Sequence, residues 1–354
     1  MASFQKVNNK WRAQINLQGV RRSRTFKTKA EATRWAKEFE KEFFTHGTPP
    51  TDISFEQLLT EYARKVTPIK RGGMAELRRI QALCKEPPFQ NIKLRDVNRR
   101  LIQDWVDSKI GSISQNSHRP IKSSTVARYL TVLKAVFNKA VDWEYIEVSP
   151  CRGVRCKVME DHRERVATEE EIEKIKLVAL WNESEPPRLI SQLVVAAFVF
   201  ACFTGMRVGE IVQMERSWIN ECTIMIPREV TKTYHGRRIA VPVRAMKILQ
   251  LLLKKNRKRV FGLENQAHDA IFRKIRAMAG LGPVYDTHGH LLKEGLNFHD
   301  SRATFCTWAA SPGPDGAPRL DVLSLARQTG HRNLRSLMHY YRKSPEEMLN
   351  RLNS

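Results

Sequence analysis

Polar and apolar residues alternate over Lys10-Trp-Arg-Ala-Gln-Ile-Asn-Leu17, and after Gln18-Gly19 the run Val20-Arg-Arg-Ser-Arg-Thr-Phe26 resumes the extended character. A period of two marks half-buried strands, and the glycine supplies the turn between them. Over Lys29–Phe44 the spacing becomes helical, with Ala32, Trp35, Ala36, Phe39 and Phe43 on one stripe. The N-terminal segment therefore reads as a small sheet backed by one helix. From 53 to 150 the spacing is helical only, in stretches near 54–66, 75–84, 97–109 and 123–143. The last is the clearest, with Ser123-Ser124 as its cap and Val126, Leu130, Leu133, Val136, Phe137, Ala140 and Val141 at helical spacing. Thr168 with Glu171 three residues on is a capping-box pattern that opens a further helical region. Within it, Thr223–Pro227 and Ile239–Val243 read as short strands around a polar turn at Tyr234-His235-Gly236. The uncharged run Leu189–Met206 contains Ser191, Gln192, Thr204 and Gly205 between Arg188 and Arg207, which suits a buried core helix rather than a membrane span. The pattern predicts an α+β, mainly α, chain: a sheet-plus-helix domain at 1–48, a helical domain at 53–150, and a mainly helical domain with a small antiparallel sheet at 165–354. His46–Pro50 and the aperiodic stretch 151–167 are the expected linkers.

Charge adds a partner to this outline. The 354 residues include 61 Lys plus Arg against 37 Asp plus Glu, a formal net charge of +24. With 42% hydrophobic residues there is material for real cores, so a disordered polycation is excluded. Such an excess serves to neutralise a polyanion, a nucleic-acid backbone first and an anionic membrane surface second. An enzyme confined to small neutral metabolites is disfavoured. Residues 1–50 carry 11 basic and 4 acidic side chains, 51–157 carry 20 and 11, and 158–354 carry 30 and 22, so positive charge is densest at the N-terminus. There Arg21, Arg22, Arg24 and Lys27 are expected to project from the second strand. A basic strand can lie in a DNA groove or be a solvated face, and these four residues leave both readings open. Cys84, Cys151, Cys156, Cys202, Cys222 and Cys306 are scattered, and no apolar signal segment opens the chain, which fits reduced thiols in a cytoplasm. Cys151 and Cys156 form a lone C-x4-C pair, poor spacing for zinc.

Candidate chemistry lies in four segments of the last domain. In Ala201–Ile211 an apolar helix breaks at Gly205 and a new one starts with Arg207 in its first turn. A guanidinium held there can grip a phosphate with help from the helix dipole, or can pair with Glu210. Lys232, between Thr231 and Thr233 in the hairpin, can reach into a site as a cation or proton donor. His299 and Arg302 lie three apart on one helical face. His331 follows Gly330, and Tyr340 lies nine residues after His331. Two arginines, a lysine, two histidines and a tyrosine, without an Asp-rich cluster, suit metal-free phosphoryl transfer. Arginines stabilise the added charge of a pentavalent transition state, the tyrosine hydroxyl attacks, and the leaving sugar oxygen takes a proton from the lysine. The covalent intermediate conserves the bond energy, so no nucleotide cofactor is needed.

Taken in this order, Arg207, Lys232, His299 with Arg302, Gly330-His331 and Tyr340 resemble the active-site signature of the tyrosine recombinase family, and specifically of bacteriophage-type integrases. The run Thr204-Gly-Met-Arg207-Val-Gly-Glu210 and the His-to-Tyr interval also follow that pattern. The resemblance covers the whole chain. It implies an arm-site DNA-binding domain at 1–48, a core-site DNA-binding domain at 53–150 and a catalytic domain at 165–354. It further implies a site-specific recombinase that cuts double-stranded DNA attachment sites through a 3′-phosphotyrosyl link and a Holliday junction, for integration and excision. The implied assembly is a homotetramer on DNA in the cytoplasm, at the nucleoid, without membrane contact; a host DNA-bending protein and an excision factor are candidate partners. His299 would take the tyrosine proton or orient the phosphate, His331 would hydrogen-bond the scissile phosphate, and the tail Pro345–Leu352 would dock as a helix on a neighbour.

Several positions depart from the family pattern. Thr329 replaces the usual Leu before Gly330, Pro312–Pro318 makes a longer loop, and Tyr341 adds a second tyrosine, although spacing favours Tyr340. Arg237 and Arg238 share the hairpin with Lys232 and compete for its role. His339 reads as a bystander, and His288-Gly-His290 as a loop rather than a metal site. Two rivals remain. A type IB topoisomerase-like enzyme shares the chemistry, but the separate N-terminal domain speaks against it; a catalytically inactive DNA-binding regulator is opposed by the presence of all six residue types.

Overall fold

The computed structural model describes residues 2–7, 9–17, 20–46, 53–115, 117–158, 163, 165–231, 234–255, 257–263 and 267–341. The chain divides into two compact units, 1–160 and 161–354. The first unit opens with strands β1 (Ala2–Val7), β2 (Lys10–Leu17) and β3 (Val20–Phe26), antiparallel in the order β1-β2-β3, followed by helix α1 (Lys29–His46). β1 joins the expected hairpin as a third strand. Only Ala2 and Phe4 turn toward the small core and the other four residues are exposed, so its period-two signal is short. Ile15 packs with Ala36 and Phe39 of α1, the small core expected from the stripe.

The register places two of the basic residues of this strand. Ile15 pairs with Arg22 and Ala13 with Arg24, and directly opposed residues share a face, so Arg22 and Arg24 lie on the helix-backed side. Arg22 donates to the carbonyl of Glu144, and the Arg24 guanidinium stands 5.7 Å from the Phe26 ring centre. Arg22 is thereby engaged within the first unit, Arg24 stays exposed, and Lys27 falls beyond the strand.

The rest of this unit is helical: α2 (Phe55–Lys65), α3 (Gly73–Leu83), α4 (Arg99–Lys109) and α5 (Ser123–Asp142) surround a core that includes Phe55, Phe89, Trp105 and Phe137. Ser54 and Gln57 cap α2 reciprocally, at 3.1 and 2.8 Å. α5 is capped differently from expectation: Lys122 is its N-cap, Ser123 is already helical, and no side chain closes the end. Cys151 and Val154 are buried in the helical core, and Gln103 brackets the Arg155 backbone with two bonds of 3.0 Å. Residues 151–157 therefore belong to the first unit rather than to a free linker. The turn at 18–19 and the stretch 47–52 lie outside the described residues.

In the second unit α6 (Glu169–Val178) begins at the expected capping box, with Thr168 and Glu171 bonded both ways. α7 (Ile190–Thr204) is apolar on all sides and is buried from Leu193 to Cys202, so it forms the axis of this unit. α8 (Val208–Val212) follows, then β4 (Ile219–Asn220), β5 (Thr223–Ile226) and β6 (Arg237–Ala240), antiparallel in that order. The last strand starts two residues earlier than expected and stops at Ala240, because Pro242 is the N-cap of α9 (Val243–Leu253). α10 (Ala267–Met278) leads to a two-stranded hairpin, β7 (Val284–Tyr285) and β8 (Leu291–Lys293), whose turn holds His288 and His290. α11 (Asp300–Ala310), α12 (Val322–Thr329), α13 (Arg335–Met338) and a short 3-10 turn, His339–Tyr341, end the described chain. They share a second core of Phe305, Cys306, Ala309, Leu325 and Leu337. The fold is α+β and mainly helical, and among the described residues no helix is long and apolar enough to cross a membrane.

Candidate active site

Gly205 ends α7 in the left-handed region, at φ +66°. A Cβ there would come within 2.5 Å of the Phe305 ring, so glycine is required by both backbone and space. The reversal makes Arg207 the N-cap of α8, one step outside the first turn where the sequence put it. Glu210 accepts the Arg207 backbone N–H at 3.0 Å and Arg207 Nη1 at 3.2 Å, while Arg207 Nη2 donates to the Gly330 carbonyl at 3.2 Å. The stronger partner of Glu210 is Arg237 on β6, which donates to both carboxylate oxygens at 2.9 and 2.7 Å and through Nε to the Gln328 carbonyl at 3.1 Å. Burial alone would raise the Glu210 carboxyl, but the hydrogen bonds and charge of Arg237, with Arg207, hold it below the usual range.

Arg302 lies in the first turn of α11 and is 4% exposed. Its Nη1 donates to the Gly205 carbonyl at 2.6 Å, and its Nη2 lies 3.2 Å from both ring nitrogens of His331. Desolvation first, and then the charge of Arg207, push its pKa down to about 9. Among the described residues no carboxylate bonds this guanidinium directly, so its positive charge awaits an anion. His331 follows the left-handed Gly330 that ends α12; desolvation and then Arg302, Arg207, His299 and Arg237 lower its pKa to about 3, leaving a neutral ring. His299 is the N-cap of α11 and faces solvent. Desolvation of its ring and the Arg302 charge lower its pKa, against the opposing charge of Asp300.

The two tyrosines separate by their surroundings. Tyr341 donates its hydroxyl to the Leu320 carbonyl at 2.6 Å, and burial, then Asp321 and Cys306, raise its pKa to about 12. Tyr340 packs on the Phe305, Leu325 and Leu337 core, with its ring 3.9 Å from the imidazole of His339, centre to centre. Three guanidiniums against one carboxylate leave two uncompensated positive charges, as many as the negative charges of a pentavalent phosphorane.

Residues 167–347 match the sequence model of the phage integrase family. Over 350 residues the chain is 30% identical to a putative integrase/recombinase of Haemophilus influenzae, a match spanning 96% of this chain and 87% of that relative. The chain belongs to the phage integrase family. With that membership goes its activity, that of a tyrosine site-specific recombinase. A shufflon-specific DNA recombinase of Escherichia coli is 24% identical over 306 residues, 85% of this chain and 72% of that one. The integrase fold recurs in a lambda integrase dimer bound to a core site, with TM-score 0.61 and 15% identity over 96% of this chain and 94% of that one. It recurs again in the Tn1549 transposon integrase in complex with a circular intermediate DNA, with TM-score 0.60 and 16% identity over 85% and 99%.

Of the six residues expected in an integrase site, the structure brings Arg207, Arg302 and His331 together through Gly205, Gly330 and one shared hydrogen bond. His299 stands beside Arg302 at the start of α11, and Tyr340 packs on the far end of the same helix and on α12. Lys232 lies outside the described residues, as does the tail from 342 onward. The sequence reading missed two things. The sequence offers Arg237 only as a rival to Lys232, although stepping back by two from the apolar Ile239 places it on the inward face of β6. The aperiodic stretch before 167 gave no signal at all. Yet Arg163 grips Asp300 through two bonds of 2.7 Å, Arg165 stands 3.6 Å from the same carboxylate, and the Ala167 N–H donates to Thr304 at 2.9 Å. These residues hold the start of the helix that carries Arg302.

Proposed function

We propose that this integrase cuts each strand of its DNA site by attack of the Tyr340 hydroxyl on a phosphodiester held by Arg207 and Arg302. The Tyr340 oxygen bonds to phosphorus as the bond to the 5′ oxygen breaks, giving a 3′-phosphotyrosyl link and a free 5′-hydroxyl. His299 takes the tyrosine proton, Lys232 gives one to the leaving oxygen, and His331 supports Arg302. A 5′-hydroxyl from the partner duplex reverses the step, so no external energy source enters. The observation that carries this reading is the buried Arg302 guanidinium, bonded only to a carbonyl and an imidazole among the described residues and set beside Arg207. The Tyr341 hydroxyl is already given to Leu320, which favours Tyr340 as the nucleophile.

On this reading residues 1–48 bind arm sites, 53–150 bind the core site and 165–354 carry catalysis. The related lambda integrase has been captured as a tetramer on a Holliday junction, which supports a tetramer of this chain across two attachment sites. A host DNA-bending protein and an excision factor complete the proposed partners. A plasmid carrying two candidate sites tests the proposal: recombination that depends on both sites supports it, and relaxation of any supercoiled plasmid without exchange replaces it with a topoisomerase.

A further inference from the structure

We infer that Thr329 is a positioning residue that fixes His331 as its Nδ1–H tautomer and so presents the Nε2 lone pair to Arg302. The inference rests on the cleavage site proposed above and assigns one member of it a different task. Thr329 is the last residue of α12 and is fully buried. Its Oγ1 lies 2.5 Å from the Leu325 carbonyl oxygen and 2.7 Å from His331 Nδ1. One hydroxyl carries one proton, and a carbonyl oxygen can only accept. At that separation the proton must lie between the two oxygens, since lone pair against lone pair would repel. The remaining lone pair of Oγ1 then faces Nδ1, which must supply the second proton.

The contact with Arg302 is compatible with this assignment. Arg302 Nη2 can only donate, and it lies 3.2 Å from both ring nitrogens. A neutral imidazole has one lone pair to offer, and with Nδ1 protonated it sits on Nε2. The opposite tautomer would turn the Thr329 hydroxyl toward Nδ1 and leave the 2.5 Å contact with the Leu325 carbonyl without a proton. Among the described residues, protonating both nitrogens is opposed by the charges of Arg302 on α11, Arg207 at the cap of α8 and Arg237 on β6, with the His299 imidazole beside them. The Thr329 methyl is also constrained, because a Cβ on Gly205 would approach its Cγ2 to 2.9 Å.

This tautomer changes what His331 does. A phosphate oxygen carries no proton and needs a donor, whereas the Nε2 described here accepts. His331 therefore aligns the Arg302 guanidinium, whose N–H groups not taken by His331 and Gly205 are left for the phosphate, and it offers a proton acceptor at the reacting centre.

Two-bond ¹H–¹⁵N correlation of the imidazole nitrogens in the full chain tests this, with the His331 signals assigned by their loss in His331→Gln. At about pH 7, where such a ring is neutral, the wild type should show Nδ1 protonated and Nε2 bare. Thr329→Val, of nearly the same shape, should lose that pattern, and Thr329→Ser should keep it. Loss of one neutral hydrogen bond should slow covalent capture of a nicked core-site substrate about tenfold in Thr329→Val, with core-site affinity unchanged. Nε2–H in the wild type, an unchanged tautomer in Thr329→Val, or an unchanged capture rate would each overturn the assignment. The nitrogen signals are read without DNA, so their outcome is separate from that of the recombinase reading, which Tyr340→Phe tests by loss of the adduct.

Discussion

Two sets of arginines in this chain show how little charge density says about chemistry. The N-terminal segment is the richest in net positive charge per residue, yet Arg22 is bonded to a backbone carbonyl and Arg24 lies near an aromatic ring. The second unit is the least basic per residue, and it alone buries a guanidinium without a bonded carboxylate among the described residues. The difference lies in what each cation is already bonded to. A guanidinium given to a carbonyl or left near solvent adds to the general field around the molecule, and salt screens it. One held in low dielectric beside another cation is unfavourable alone and gains most when a phosphate arrives.

Removing Arg302 should break the comparison most visibly. Arg302→Ala should slow formation of the covalent DNA adduct by about 10²–10³-fold, the scale of losing one preorganised donor to a developing charge. Core-site binding should change little, and capture on a suicide substrate beside a binding titration separates the two effects.

Arg237 sharpens the same contrast by being buried and paired. Arg237→Ala leaves the Glu210 carboxylate short of its bidentate partner and should destabilise the second unit by about 3–5 kcal/mol in denaturant unfolding. Adding Glu210→Gln removes the unpaired charge and should recover part of that loss. Losses that simply add would mean the pair is not coupled.

Acid should affect the second unit through its histidines. His331 has its pKa lowered to about 3 from 6.5, so in that window the unfolded chain binds more protons than the folded one. Stability is therefore complete above 6.5 and is lost as pH falls from there toward 3. His331→Asn should narrow the stability difference between about pH 7 and about pH 4.5, measured by denaturant titration at each.

The smallest effect belongs to the sheet. Arg24→Ala should reduce the salt slope of binding to long attachment-site DNA by roughly 0.9 if Arg24 meets a phosphate. Arg22→Ala, which removes a cation already engaged with Glu144, should leave the slope nearly unchanged. Equal slopes for the two variants would show that the Glu144 contact does not distinguish them.

Much of this was legible in the sequence because it is local. The Ala32–Phe43 stripe, the Thr168–Glu171 box and the apolar run that became α7 each carry their own period or cap. The proposed site residues Arg207, His299, Arg302, His331 and Tyr340 could be named because their order and spacing resemble the signature of the tyrosine recombinase family. Contacts between distant segments were not legible. Nothing in an aperiodic stretch marks Arg163 as the partner of Asp300, and nothing in the β3 composition says that Arg22 will meet Glu144. The cap of α5 failed for a simpler reason: two adjacent serines suit an N-cap equally well on paper, but the helix already begins at Ser123 and its N-cap is Lys122. Thr329 stood out only as a departure from a pattern, and its meaning needed the positions of Leu325, His331 and Arg302 together.

The central claim is that Tyr340 attacks a phosphate held by Arg207 and Arg302. The most direct test is to trap the protein on a nicked attachment-site substrate, digest the adduct and identify the tyrosine that carries the nucleotide. The account predicts that the phosphotyrosyl link lies on Tyr340, is lost in Tyr340→Phe and survives in Tyr341→Phe. A link on Tyr341, or an adduct that persists in Tyr340→Phe, would contradict it.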